Sequence, residues 1–408
     1  MAGRNGKTTV FAGLGLLGTG ASVFLAAAAL ATSSAAPARA DFDDLLEPII
    51  QPLLTSLTDS LTAIDPAAAL DLTSWSDSLL ASLNSTFDFA LPSTDAAAAA
   101  AVGAAAEPAA SLAGGTIPLT VLEGTEPVVQ ASIDGGSAVP LLVDTGSSGL
   151  VVPFTDLGST YSSQLEALFS LGLPTGFSES GYSGGVDYLY LTYNNVPVDY
   201  LGGTGLSTDG PVNIEIYSWN PSDFGSLFTN NAFQEFLGGN EVSGILGIGD
   251  NTAGPTTTPF LDYGGVYVNI PGNELVVGGG NPIPDAVSTS GDPVSNVFES
   301  VGNGTQVAVS NNIDSGGVFG TIPSSLAPTG SVPDGTLISV YNAAHQLLYS
   351  YTTTGSFDIS DTGTPQLVSD APTVISGTSI DSGVLPFLQH GVYIDYANDK
   401  TFFGPLTS

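Results

Sequence analysis

Two short runs of this chain end an apolar stretch on an aspartate and follow it with a hydroxyl and a glycine. The first is Leu141-Leu142-Val143-Asp144-Thr145-Gly146-Ser147-Ser148-Gly149-Leu150-Val151-Val152-Pro153. The second is Asn312-Ile313-Asp314-Ser315-Gly316-Gly317-Val318-Phe319-Gly320-Thr321-Ile322-Pro323. Each reaches a proline nine residues after its acid. An apolar strand that carries a carboxylate into the interior needs donors around it, because a buried charge without partners is costly. Thr145, Ser147, Ser148 and the amides of the glycine turn supply donors in the first run. One such acid is ordinary. Two similar turns 170 positions apart suggest two similar lobes, each presenting a carboxylate to a shared cleft.

Brought within about 3 Å, Asp144 and Asp314 would repel by about 5 kcal/mol at an effective dielectric near 20, equivalent to several pKa units. The pair then holds one proton over a wide acidic range. Its ionised member takes a proton from a water between the carboxyls, and its protonated member donates to a carbonyl oxygen. Because the proton is shared, neither acid has a fixed role. Thr145 and Ser315 are placed so that their hydroxyls brace the opposite loop. Gly146 and Gly316 keep side-chain bulk from the shared water, and Ser147 is in reach of the outer oxygen of Asp144.

These motifs carry a family resemblance. Asp-Thr-Gly-Ser-Ser-Gly between apolar runs resembles the first active-site loop of pepsin-like aspartic proteases. Val242-Ser243-Gly244-Ile245-Leu246-Gly247-Ile248-Gly249 resembles the strand that threads behind that loop, and the closing run 383–395 aligns without gaps on the equivalent strands of the second lobe. Gly181-Tyr182-Ser183-Gly184-Gly185, followed by a tyrosine-rich strand, looks like the flap, which puts Tyr182, Ser183 and Gly184 against substrate. More narrowly, Ile-Asp-Ser-Gly-Gly-Val and Tyr-Ser-Gly-Gly resemble the aspartic protease domain that ends some mycobacterial PE-family surface proteins, over roughly residues 116–406. The resemblance implies an all-β, bilobal pepsin-like fold with two pseudo-symmetric lobes. It also implies a monomer with no metal or organic cofactor, acting on polypeptide substrates among other exported surface proteins. Where the pepsin pattern usually has a hydroxyl in its second loop, this chain has Gly317. That leaves Asp314 less stabilised as an anion and argues against an ordinary pepsin-like pH profile.

Two other acids compete for the second position. Asp361-Thr362-Gly363 has the literal triplet, but Pro365 follows closely and no apolar strand precedes it. Asp381-Ser382-Gly383 follows Ile380, yet the gapless closing match places it on the threading strand.

Composition bounds the rest. A length of 408 residues suits two domains or one bilobal unit, and 51 glycines with 27 prolines suit turn-rich β structure. The absence of cysteine excludes disulfides, thiolate zinc sites and cysteine nucleophiles. Two histidines, His345 and His390, are too few for a histidine metal site. Arg4, Lys7 and Arg39 precede the expected cleavage point, which leaves Lys400 against 39 acids. That balance opposes nucleic acid binding by phosphate neutralisation and charge-driven docking on anionic lipid. Crowded carboxylates raise one another's folded-state pKa values, so a higher melting temperature is expected near about pH 5 than near about pH 8.

Along the chain, residues 1–40 have a basic start, an apolar middle and Ala38-Arg39-Ala40, the pattern of a secretory signal cleaved before Asp41. Residues 41–91 place Leu53, Leu54, Leu57, Leu61 and Ile64, then Trp75, Leu79, Leu80, Leu83 and Phe87, at helical spacing. They are expected to form a helical pro-segment or tether, with cell-envelope association as one use. An Ala/Pro-rich linker at 92–115 follows. The N-terminal lobe is expected at 116–260 and the C-terminal lobe at 261–408, divided in the polar stretch after Ile248. Strands are expected at 116–122, 128–133, 140–143, 186–193, 265–270 and 274–277, with short helices at 162–171 and 228–237.

Two rival readings compete with a secreted or cell-surface aspartic endopeptidase. Gly181-Tyr182-Ser183-Gly184-Gly185 also satisfies G-x-S-x-G of serine hydrolases, with His345 or His390 as base, but that motif needs a helix directly after the serine. The other is a protease-like scaffold that binds peptide or envelope components without cutting them, for which Gly317 is the best support.

Overall fold

The structure, a computed structural model, describes residues 112–405 apart from 173, 183–184, 221, 224–230, 239–240 and 361–364. The expected signal segment 1–40, the helical segment 41–91 and most of the linker lie outside these residues, as do Ser183, Gly184 and Asp361.

The described chain is mostly β. Its first part supplies β1 (Gly115–Pro118), β2 (Thr120–Leu122), β3 (Glu126–Ile133), β4 (Ala138–Asp144), β5 (Ser148–Pro153), β6 (Gly176–Tyr182), β7 (Val186–Tyr200), β8 (Ser207–Trp219) and β9 (Gly244–Ile248). The strands β2 to β9 form one sheet in the order β2-β3-β4-β9-β5-β8-β7-β6, curled so that β3 also pairs with β7. Leu141, Leu142 and Val143 on β4 and Leu150, Val151 and Val152 on β5 are all buried. Strands covered on both faces read as continuous apolar runs, which is why these segments do not alternate. The long hairpin of β7 and β8 behaves differently. Its strand continues to Tyr200 rather than stopping near Tyr193, because Asn195 takes a left-handed φ of 58° and absorbs a bulge between Tyr193 and Val196.

The second part supplies β10 (Val266–Asn269), β11 (Glu274–Val277), β12 (Val287–Ser290), β13 (Val294–Val301), β14 (Val307–Asn312), β15 (Thr321–Pro323), β16 (Leu337–Tyr341) and β17 (Leu347–Thr352). It continues with β18 (Phe357–Asp358), β19 (Leu367–Val368), β20 (Thr373–Ile375), β21 (Ser379–Asp381), β22 (Val392–Asp395) and β23 (Lys400–Phe403). Seven of these make a second sheet, β17-β16-β13-β14-β21-β15-β20, while β18 and β19 form a separate ribbon. A third sheet, β1-β11-β10-β22-β23-β12, gathers strands from the beginning, middle and end of the described chain.

The two large sheets share a wiring pattern. In the first, β4 runs parallel to β9, β9 antiparallel to β5, and β5 parallel to β8. In the second, β14 runs parallel to β21, β21 antiparallel to β15, and β15 parallel to β20. Asp144 closes β4, and Asp314 follows two residues after β14. Repetition of one topology thus delivers an acid from each lobe at the same place.

Two sequence expectations are corrected here. Residues 116–122 are two strands rather than one: the chain breaks at buried Leu119, sending β1 into the third sheet and β2 to β3. The closing run 383–395 is not strand throughout. Leu385–Gln389 is a short helix opened by Pro386 in its first turn, where the missing amide costs nothing. The helix expected at 162–171 is present as Tyr161–Ser170, capped by Thr160 and Ser163. Of the one expected at 228–237, Ala232–Phe236 is described.

Candidate active site

Beneath the two acids, the hydroxyls of Thr145 and Ser315 cross between lobes. Thr145 Oγ1 donates to the Ile313 carbonyl at 2.6 Å and accepts from the Ser315 amide at 2.8 Å. Ser315 Oγ donates to the Val143 carbonyl at 2.6 Å and accepts from the Thr145 amide at 3.1 Å. Both side chains are fully buried. Each hydroxyl therefore satisfies one donor and one acceptor that would otherwise be orphaned in the interior. A hydroxyl after each acid can both donate and accept, so it meets a carbonyl and an amide of the opposite loop at once.

The brace brings the acids face to face. A side chain on Gly146 would run into the carboxyl of Asp314, and one on Gly316 would stand 2.9 Å from Asp144 Oδ1. The amides of Gly146 and Gly316 donate to Oδ1 of their own loop's aspartate, each at 2.8 Å. Asp144 and Asp314 are both buried and share a side-chain hydrogen bond. Burial first, then the charge of Asp314, holds Asp144 well above the ordinary carboxylate range. Burial first, then the charge of Asp381, pushes Asp314 up to about 8. Two buried acids in contact cannot both ionise cheaply, so the pair retains a proton.

The fourth residue of each loop differs. Ser147 Oγ donates to Asp144 Oδ2 at 2.5 Å, as its spacing suggested. In the second loop Gly317 offers no hydroxyl, and its missing side chain leaves room for Asp381: a Cβ there would overlap Asp381 Oδ1 and lie 3.0 Å from its Cγ. Asp381 closes β21, beside Asn312 in parallel register, so it sits on the threading strand. It nonetheless reaches Asp314 through a side-chain hydrogen bond. Sequence reasoning weighed it only as a replacement for Asp314. Its neighbour Ser382, which accepts the Asp314 amide at 2.9 Å, was not singled out at all. The signal that pointed to both was the Asp-Ser-Gly triplet itself.

Tyr182 ends β6 and pairs with Val186 at the start of β7. Its ring is stacked between Tyr188 and Phe236, with centroids 5.5 and 5.6 Å away, and meets Phe233 edge-on. The hydroxyl is buried beside those of Tyr188 and Ser147 without a well-aligned hydrogen bond to either. Burial, then Tyr188 and Asp144, keep the phenol well above its ordinary pKa. The residue expected on the flap is thus packed against the rings of Tyr188, Phe233 and Phe236.

The serine-hydrolase reading finds no support in this geometry. Tyr182 before this motif and Val186 after it belong to β6 and β7, which pair antiparallel, where a nucleophile elbow requires a helix after the strand. His345 Nδ1 is paired with Gln306, and His390 Nδ1 with the Gly404 carbonyl.

Two β lobes of matching topology, with an acid from each held over crossed hydroxyls, define the class of pepsin-like aspartic proteinases. An aspartic proteinase from Irpex lacteus superposes with a TM-score of 0.50 over 72% of this chain and 98% of that one; at 15% identity the likeness is one of fold. The chain belongs to the PE-PGRS C-terminal aspartyl peptidase-like domain family, which it matches over residues 115–402. PE cleavage protein A of Mycobacterium tuberculosis (strain ATCC 25618 / H37Rv) is 37% identical over 302 residues, which is 70% of this chain and 50% of that protein. PE cleavage protein A of Mycobacterium marinum (strain ATCC BAA-535 / M) is 38% identical over 301 residues, with the same coverage. The chain spans about half the length of the curated relatives it matches.

Proposed function

We propose that this protein is an exported aspartic endopeptidase in which Asp144 and Asp314 share a proton and activate water against a peptide bond. The observation that carries the reading is the pair of buried, mutually hydrogen-bonded carboxyls over the Thr145–Ser315 brace. In the resting state one acid is ionised and the other protonated. The ionised carboxylate removes a proton from water as its oxygen attacks the substrate carbonyl, and the protonated carboxyl donates to the carbonyl oxygen. A tetrahedral diol results. The roles then reverse: one carboxyl protonates the departing nitrogen while the other takes back a proton, and the dyad returns to its starting charge. Gly146 and Gly316 leave the space this water and the diol need. Tyr182, on its hairpin, closes the site above the first loop and excludes solvent water.

The substrates in this reading are other exported surface proteins cut in exposed linkers, a class supported by the printed name of the relatives, PE cleavage protein A. Residues 1–40 act as the export signal, and residues 41–115 as a removable pro-segment or envelope tether, ahead of lobes at 116–260 and 261–408. The protein works as a monomer at the cell surface or outside it.

Cleavage of a denatured protein by the full chain, with and without a statin-type inhibitor, tests the proposal from about pH 3 to about pH 8. Asp144→Asn and Asp314→Asn should each lower kcat by at least about a thousandfold while leaving the melting temperature within a few degrees. Substantial cleavage by either variant would remove the shared-proton mechanism. Peptide binding without any cleavage by the wild type would leave a protease-like binding protein.

A further inference from the structure

Four residues after Asp314, Val318 has a φ of 50°, in the left-handed region where a β-branched side chain is strained. Among the described residues it is the one large apolar side chain that is both exposed, at 42%, and held in that backbone conformation. Two hydrogen bonds keep it there. The Gly320 amide donates to the Gly317 carbonyl, and the Val384 amide to the Val318 carbonyl, each at 2.8 Å. Strain of this kind gathers at functional sites, held by the structure around it. Core packing gives no reason for the valine, because its side chain is open to solvent.

The next residue leads from the dyad to the opposite lobe. The half-buried ring of Phe319 meets that of Phe357 on β18 edge-on, with centroids 5.2 Å apart. Phe357 in turn lies against the turn between β2 and β3. A side chain on Gly124 in that turn would stand 3.0 Å from the Phe357 ring and 2.9 Å from the Asp358 carbonyl. Leu122, where the turn begins, packs on the same apolar cluster as Tyr182. The contacts therefore run from the second loop, through Phe319 and Phe357, to the first lobe and back toward Tyr182, whose hydroxyl lies beside Ser147.

Resting on the peptidase reading above, we propose that this bridge between the lobes ends the substrate cleft on one side of the dyad, and that Val318 is the specificity-determining residue of the last subsite before it, which takes an apolar side chain. The spacing sets the size of that side. Gly316 stands beside Asp144, and Phe319 is three residues further on. At most about 11 Å of chain separates them. An extended substrate rises about 3.3 Å per residue, so about three of its residues fit before the bridge turns the chain out of the cleft. Gly316 and Gly317 bring no side chains to this stretch, which leaves Val318 as its exposed apolar surface. The rest of a long substrate passes outside, and cutting within a chain is not hindered.

The test uses peptides with one scissile bond, extended one residue at a time toward each terminus separately, and three full-length proteins: wild type, Val318→Gly and Phe357→Ala. For the wild type, kcat/KM should stop rising after about three residues on one side. Phe357→Ala removes the middle of the bridge and should prolong the rise by at least one residue on that same side. At the last position there, the wild type should prefer an apolar side chain to a charged one by about tenfold or more. Val318→Gly should reduce that preference to about threefold or less. Its melting temperature should stay within a few degrees of the wild type or rise, because glycine adopts the left-handed region freely. A valine that only supported the fold would give the reverse, a lower melting temperature with the preference intact.

Calorimetric binding of statin-type peptides of the same lengths separates this idea from the peptidase reading. An affinity that stops rising at the same length, and loses its apolar preference in Val318→Gly, supports the bridge even in a protein that cuts nothing. Rates or affinities that go on rising past about five residues on both sides would overturn the inference. So would an unchanged preference in Val318→Gly. Either result, in a protein that does cut, leaves the peptidase intact.

Discussion

The loop Asp144-Thr145-Gly146-Ser147 and the loop Asp314-Ser315-Gly316-Gly317 agree at three positions and part at the fourth. The agreement covers everything that aims the acids at each other. A hydroxyl crosses to the opposite lobe, a glycine clears the space between the carboxyls, and an amide two residues on holds Oδ1. The difference concerns how the outer side of each acid is supported. Asp144 has a local hydroxyl from its own loop, and Asp314 has a carboxyl from a strand 67 positions further along. Geometry is thus shared between lobes, while proton affinity is tuned lobe by lobe. A pair of identical loops would present two equivalent acids; these loops present acids in unlike surroundings.

The shared part is the easiest to break. Thr145→Val leaves the Ser315 amide and the Ile313 carbonyl without partners, and Ser315→Ala leaves the Thr145 amide and the Val143 carbonyl. Each orphaned buried group costs about 1–3 kcal/mol, so either change should destabilise the fold by roughly 2–5 kcal/mol. Denaturant unfolding is the measurement, and the two values should agree within about 1 kcal/mol. A large inequality would mean that the lobes lean on each other asymmetrically, contrary to the paired geometry.

The part that differs predicts a smaller effect. Ser147→Ala removes a short, charge-assisted donor from Asp144. Loss of a donor to the anion raises that acid's pKa further, so the acid limb of kcat/KM should move to higher pH and kcat should fall by about tenfold. Because Asp314 has no hydroxyl of this kind, the second loop has no counterpart substitution: Gly317→Ser meets Asp381 instead. A neutral Ser147→Ala would show that the outer hydrogen bond to Asp144 is dispensable.

Much of this was legible in the residues and some was not, for a consistent reason. The apolar runs either side of Asp144 identify a strand–turn–strand unit locally. The repeated Asp-hydroxyl-Gly spelling marks Asp314 as its twin. The hydroxyl after each acid is close enough in sequence for its bracing role to be inferred. Asp381 is different, because its contribution depends on pairing between β14 and β21, which lie about 70 residues apart. A strand's side chains alternate between faces, so the residue that meets Asp314 is fixed by register rather than by local spelling. The break at Leu119 was hidden for a similar reason: both halves of 116–122 are suitable strand, and only their distant partners separate them. Leu385–Gln389 escaped notice because the family pattern read it as strand, although Pro386 marks a helix start.

The comparison between lobes extends to a buried glutamate in each. Glu215 on β8 is buried, with Ser218 as a hydrogen-bonding partner, and burial pushes it up to about 7. Glu299 on β13 is buried, its Oε2 has no partner, and burial pushes it up to about 8. Both folded-state values lie above the unfolded value near 4.5, so the folded chain holds these protons more tightly than the unfolded chain does. The stability linked to them is fully present below that unfolded value and is lost as pH rises through about 7 and about 8. Each such proton lowers stability by about 1.4 kcal/mol per pH unit across its window. The wild type should therefore melt several degrees lower near pH 8 than near pH 5, the order expected of a chain with 39 acids and 4 cations. Glu299→Gln and Glu215→Gln keep the shape and delete the titration, so each should flatten that dependence. The flattening should be greater for Glu299→Gln, whose carboxyl is held the higher of the two. Scanning calorimetry of the three proteins at both pH values measures it. Equal flattening would show that the Ser218 contact does nothing for Glu215, and a wild type that melts higher at pH 8 would mean that the raised carboxyls do not govern stability at all.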